Sequence, residues 1–71
     1  MDELPPEGAK LLLTQEACPW LRKPVEFRAI VVRAEGQGRA VLRGWYLKPT
    51  GALCEEQIDV VLAGVSVLES A

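Results

Sequence analysis

From Val25 onward, β-branched, aromatic and aliphatic residues recur in three stretches of nearly equal length: residues 25–35 (VEFRAIVVRAE), 39–48 (RAVLRGWYLK) and 52–62 (ALCEEQIDVVL). Gly36-Gln37-Gly38 separates the first pair and Pro49-Thr50-Gly51 the second. Equal strand-like segments joined by short turns of these residue types read as a meander of antiparallel hairpins. A shorter stretch, Val65–Glu69, follows Ala63-Gly64 and is long enough to turn back onto the sheet.

A register follows if both turns are three-residue loops. Glu35 then faces Arg39, and Glu26 faces Lys48, so opposite charges close both ends of the first hairpin. Ile58 and Val60 line up beside Leu42 and Ala40. One face collects Ile30, Val32, Ala34, Ala40, Leu42, Tyr46, Cys54, Ile58, Val60 and Leu62, the expected core. A one-residue slip would scatter this set, so the agreement across three strands supports the register. Gly44 falls mid-strand opposite Ile30, where a long strand must bend if a small sheet is to coil.

The beginning of the chain has a different texture. Pro5, Pro6 and Gly8 mark residues 1–8 as an extended, frayed acidic arm before a single domain over 9–71. Residues 9–17 (AKLLLTQEA) suit one short helix ended by Pro19, with a strand at Lys10–Thr14 as the alternative. The predicted fold is therefore α+β or mainly β: an N-terminal helix and a three- to four-stranded antiparallel meander curled into a small barrel. Long bent strands and a leading helix resemble small Sm-like or SH3-like barrels, and less closely an oligonucleotide-binding barrel.

Composition turns attention to the other face. A chain of 71 residues buries only about 60% of the surface its unfolded form exposes, yet 49% of its residues are apolar. Apolar side chains are left over once one face fills the core, and association would bury them. The second face carries Phe27, Ala29, Val31, Trp45, Leu47 and Leu53 toward the Pro49–Gly51 end, and Arg33, Glu35, Arg39, Arg43, Gln57 and Asp59 toward the other. Trp and Arg are the residue types enriched where binding energy concentrates. The expected protein interface is Phe27, Trp45, Leu47 and Leu53 with Arg33 and Arg43 on its rim, unless the N-terminal helix covers that face as a second core layer.

Charge adds a competing reading. Residues 22–48 hold seven basic groups against Glu26 and Glu35, whereas the flanking segments are acidic and the whole chain carries −2. A basic hairpin bearing Trp45 suits RNA or single-stranded DNA, with Arg33, Arg39, Arg43 and Trp45 as its contacts. The acidic third strand beside it, with Glu55, Glu56 and Asp59, and a pI near 5.0 weigh against that reading.

Candidate chemistry is sparse. There is no His, and Cys18 and Cys54 lack metal-site spacing, so neither a metal nor another cofactor is expected. The two cysteines read as reduced, half-buried thiols, with a Cys18–Cys54 disulfide as the alternative. No nucleophile has an identifiable base, which argues against an enzyme. Gly36-Gln37-Gly38 precedes a strand rather than opening a helix, so it reads as a turn and not a phosphate cradle. Gly44-Trp45-Tyr46-Leu47 resembles the Trp-Tyr-Leu signature of bacterial regulatory domains with an Sm-like fold. Gln57–Leu62 replaces the Arg-containing segment that follows in that family, so no function is carried over. Without a basic-then-apolar leader or a long apolar run, the expectation is a cytoplasmic protein away from membranes. The leading expectation is a non-catalytic regulatory or interaction module that binds another protein or itself.

Overall fold

A computed structural model describes residues 3–70, and Met1, Asp2 and Ala71 lie outside the described residues. The strands are β1 (Lys10–Leu13), β2 (Val25–Gly36), β3 (Arg39–Leu47), β4 (Leu53–Val61) and β5 (Val65–Glu69), with a single 3-10 turn at Leu62–Gly64. They form one antiparallel sheet in the order β4-β3-β2-β1-β5. The architecture is mainly β, with five strands rather than three or four. The sheet is not closed into a barrel, because β4 and β5 remain its two edges.

The expected helix over residues 9–17 is absent. Its segment instead supplies β1, held between β2 and β5. Leu11 and Leu13 point into the core while Lys10 and Leu12 are only half-buried, a two-residue period that fits a strand. Local helix propensity was outweighed by pairing on both sides, the usual outcome when tertiary context opposes a weak preference. The segment after β1 covers the sheet without forming a helix. Ala17 and Cys18 are buried, Val61 donates its N–H to the Ala17 carbonyl (2.9 Å), and the Cys18 thiol lies 3.7 Å from the Asp59 carbonyl. Gly64 packs so closely on the backbone of Glu16 and Ala17 that a β-carbon would overlap it. These contacts tie the loop to the end of β4 and to the 3-10 turn.

The β3–β4 register agrees with the sequence reading, with Leu42 opposite Ile58, Ala40 opposite Val60 and Tyr46 opposite Cys54. The β2–β3 hairpin departs from it twice. Its turn has two residues, Gln37 and Gly38, between paired Gly36 and Arg39. Both have positive φ (56° and 72°), the backbone of the tight mirror-image turn that suits strand twist. Glu35 is consequently displaced from its expected partner by an irregularity between Ala34 and Gly36. The second departure is a β-bulge between Ala29 and Val31. One extra residue reverses which face later side chains point to.

That bulge redistributes the core. Phe27 and Ala29, expected on the outer face, are buried, and the Phe27 ring lies 6.3 Å from that of Tyr46. Ile30, expected inside, is exposed at the bulge, and Ala34 keeps its expected place opposite Ala40 but is exposed near the turn end of the hairpin. Beyond the bulge Val32 again packs on the core, opposite Leu42. The core thus runs across all five strands from Leu11, Leu13, Phe27, Ala29, Ala40, Leu42, Val60 and Val65 to Leu62 of the turn.

The proline-rich arm is tied down along β2. Gly8 donates to the Ala29 carbonyl and Ala29 to the Ala9 carbonyl, while the Glu7 carboxylate accepts the N–H of Val32 at 3.1 Å. Residues 6–9 thus continue the line of β1 to the bulge.

Candidate functional site

Three of the four expected anchors come together on the face turned away from the core. Leu47 stands opposite Leu53, and Trp45 is two residues along the same strand. Their exposures are 41% for Trp45, 67% for Leu47 and 62% for Leu53. Phe27, the fourth, is 1% exposed and cannot be reached from this side. The reason is the bulge: Phe27 lies before it, so its side chain takes the face opposite to that implied by unbroken alternation.

The anchors border an open groove of about 710 Å3. One side is built by Trp45, Leu47, Pro49 and Leu53, and the other by Leu12, Pro24 and Val25. The two prolines come from the segments that enter β2 and leave β3, so the groove spans the outer surface at one end of the sheet. Both fix the backbone and present apolar rings without a donor N–H.

Charge is arranged around this end in a definite order. Register places Glu69, Lys10, Arg28, Trp45 and Glu55 opposite one another in turn across the five strands. Lys10 Nζ binds Glu26 Oε1 at 2.8 Å, and that pairing, followed by the charge of Glu26, raises the Lys10 pKa. Arg28 Nη2 lies 3.6 Å from Glu69 Oε2, and its Nη1 donates to the Gly8 carbonyl at 2.8 Å. Glu26 therefore pairs with Lys10 rather than with Lys48 as the sequence register implied. Lys48 and Lys23 line the groove with no carboxylate within ion-pair distance among the described residues.

Arg33 and Arg43 are exposed but do not line the groove. They lie on the far half of the β2–β3 hairpin, Arg43 opposite Gln57 and Arg33 opposite Val41. Arg39 is also exposed, at the turn end of β3. Acidic groups accompany these arginines: a hydrogen bond with Asp59 raises the Glu35 carboxyl above its ordinary value, with Arg39 pulling the other way. The rim cations missed in the sequence are Lys10, Lys23, Arg28 and Lys48. Their association needs β1 to be a strand, and the spacing of Lys10 and Leu12 was the available signal.

The Tyr46 hydroxyl is pushed up to about 12, chiefly by its hydrogen bond with Cys54 and then by burial and the Glu56 charge, so it keeps its proton at neutral pH. Burial, aided by the Asp59 charge, pushes the Cys18 thiol up as well, which lowers its thiolate fraction. Both cysteines are free. Among the described residues no three His, Cys, Asp or Glu side chains gather to hold a metal ion, and no helix is long and apolar enough to cross a membrane.

Compared with protein-family models, curated proteins and solved structures, the chain matches none. The reading of its function rests on the groove alone.

Proposed function

We propose that this chain is a non-catalytic interaction module that binds another protein, or a second copy of itself, through the outer face centred on Trp45, Leu47 and Leu53. The observation that carries the reading is their joint exposure around one groove, although the chain already has a continuous core on the opposite face. Large apolar side chains scattered singly are normal on a surface, but a contiguous set rimmed by charge is characteristic of an interface. Two free thiols suit a reducing compartment such as the cytoplasm.

The nucleic-acid reading gains less support. Arg33, Arg39 and Arg43 are exposed on the hairpin and Arg43 lies two residues from Trp45 on the same face of β3, but Glu35 and Asp59 lie among the arginines and Glu55 stands opposite Trp45. A polyanion meets both signs of charge there.

Sedimentation velocity and pull-down with the intact chain and its Trp45→Ala and Leu53→Ser variants test the proposal. The intact chain is expected to self-associate or retain a partner that both variants lose. A strict monomer that retains no partner contradicts it.

A further inference from the structure

The groove has a charge opposite to that of the chain that carries it. Of eight basic and ten acidic residues in the whole sequence, the groove is lined by four basic ones (Lys10, Lys23, Arg28 and Lys48) and one acidic one, Glu26. It is thus locally cationic in a chain of net charge −2. Internal pairing already engages Lys10 with Glu26 and Arg28 with Glu69. Lys23 and Lys48 have no such partner among the described residues. They come from opposite banks, Lys23 beside Pro24 and Lys48 beside Pro49.

Resting on the docking role proposed above, the geometry points to one class of occupant: an acidic segment of a partner protein that carries large apolar residues. Its apolar side chains pack on Trp45, Leu47 and Leu53, and its carboxylates reach Lys23 and Lys48. Glu55 sets the orientation. It stands opposite Trp45 on β4, outside the groove lining, so acidic side chains of the partner are repelled from the middle of β4 and favoured at the end of the sheet where Lys48 lies. An apolar peptide without acids leaves both ammonium groups unmatched, and a basic one meets them with like charge, which disfavours wrong partners. A nucleic-acid strand brings a phosphate at every residue and no aliphatic side chain for Leu47, Leu53, Pro24 and Pro49. It therefore matches the groove less well than a peptide with a few acids.

The test uses the full chain with Trp20→Phe, which leaves Trp45 as its only indole. Trp45 fluorescence is followed during titration with synthetic peptides that place leucines between glutamates, the same leucines between lysines, or alanines between glutamates. An oligouridylate serves as the nucleic-acid probe. The leucine–glutamate peptide is expected to bind best and to weaken with salt. The Lys23→Glu, Lys48→Glu double variant is expected to lower its affinity by about tenfold, as reversing rim charges does, while improving that of the leucine–lysine peptide. Equal binding of the acidic and basic peptides, or an unchanged affinity in the double variant, overturns the charge assignment and leaves the docking role standing. Preference for oligouridylate also overturns it. If no peptide reaches Trp45 while Trp45→Ala still abolishes self-association, the acidic-segment proposal fails alone. If Trp45→Ala changes neither association nor peptide binding followed by titration calorimetry, both readings fail.

Discussion

Gly44 on β3 faces the backbone carbonyl of Arg28 on β2 so closely that a β-carbon on Gly44 would overlap the Arg28 oxygen. This approach accompanies the bulge that follows Ala29, the residue paired with Gly44. It sets which side chains of β2 face the core and which face the groove. Gly44→Ala is expected to destabilise the fold by about 1–3 kcal/mol or more, because the added carbon meets backbone rather than a movable side-chain end. Urea unfolding followed by circular dichroism measures it. A Gly44→Ala variant as stable as the parent contradicts the close approach.

The same bulge gives Phe27 and Trp45 opposite roles. Phe27 is enclosed by the core and Trp45 is exposed. Phe27→Ala is expected to cost about 3–5 kcal/mol, which a domain of this size survives poorly if at all. Trp45→Ala is expected to cost clearly less than Phe27→Ala, because a large part of the indole already meets solvent. Thermal melts of the two variants compare them directly, and equal losses contradict the assignment of faces.

How far the sequence revealed this arrangement depended on where alternation was broken. Leu42 opposite Ile58 and Ala40 opposite Val60 were legible because Pro49-Thr50-Gly51 joins two regular strands through a loop of the expected length. The hydrogen bonds from Lys48 N–H to the Ala52 carbonyl and from Gly51 N–H to the Lys48 carbonyl close that loop. Gly44 was recognisable as a point of distortion, but the bulge itself was not. Polar positions switch from 26 and 28 to 33 and 35, which signals an exchange of faces, but residues 29–32 are all apolar, so the pattern does not mark the residue where it happens. Phe27 was misplaced for that reason, whereas Trp45, Leu47 and Leu53 lie on regular strands and kept their face. β1 corresponds to the strand at Lys10–Thr14 that stood as the alternative to a helix, and helix-favouring residues put it second because its strand conformation depends on partners distant in sequence, Val25–Arg28 and Val65–Glu69. With β1 only the second choice, Lys10 was not placed beside Arg28 and the cationic lining of the groove was not assembled.

The Glu35 carboxyl makes stability pH-dependent in a particular direction. Its pKa in the folded chain is raised, first by the hydrogen bond with Asp59, then by desolvation and the Asp59 charge. The folded state therefore holds this proton more tightly than the unfolded one. The resulting stability is present below the unfolded value of about 4.5 and is lost as pH rises through the raised folded value. Glu35→Gln, which cannot ionise, is expected to be more stable than the parent at neutral pH, with the difference disappearing in acid. Urea midpoints across the acid range test the sign, and a variant less stable at neutral pH contradicts it.

The two thiols are expected to differ in reactivity. Cys18 is fully buried and its pKa is raised by burial, whereas Cys54 is half-buried. A disulfide-exchange reagent should label Cys54 in the native protein and reach Cys18 only after denaturation. Mass spectrometry of labelled peptides reads both sites. Rapid native labelling of Cys18 contradicts its burial within the loop between β1 and β2.

The docking face is tested most directly by acrylamide quenching of Trp45 in the Trp20→Phe chain, in dilute solution and again when self-associated or bound to the leucine–glutamate peptide. The indole is expected to be readily quenched when dilute and shielded on association. An indole already shielded in the dilute monomer, or one still fully quenched in the complex, contradicts the assignment of this groove as the binding surface.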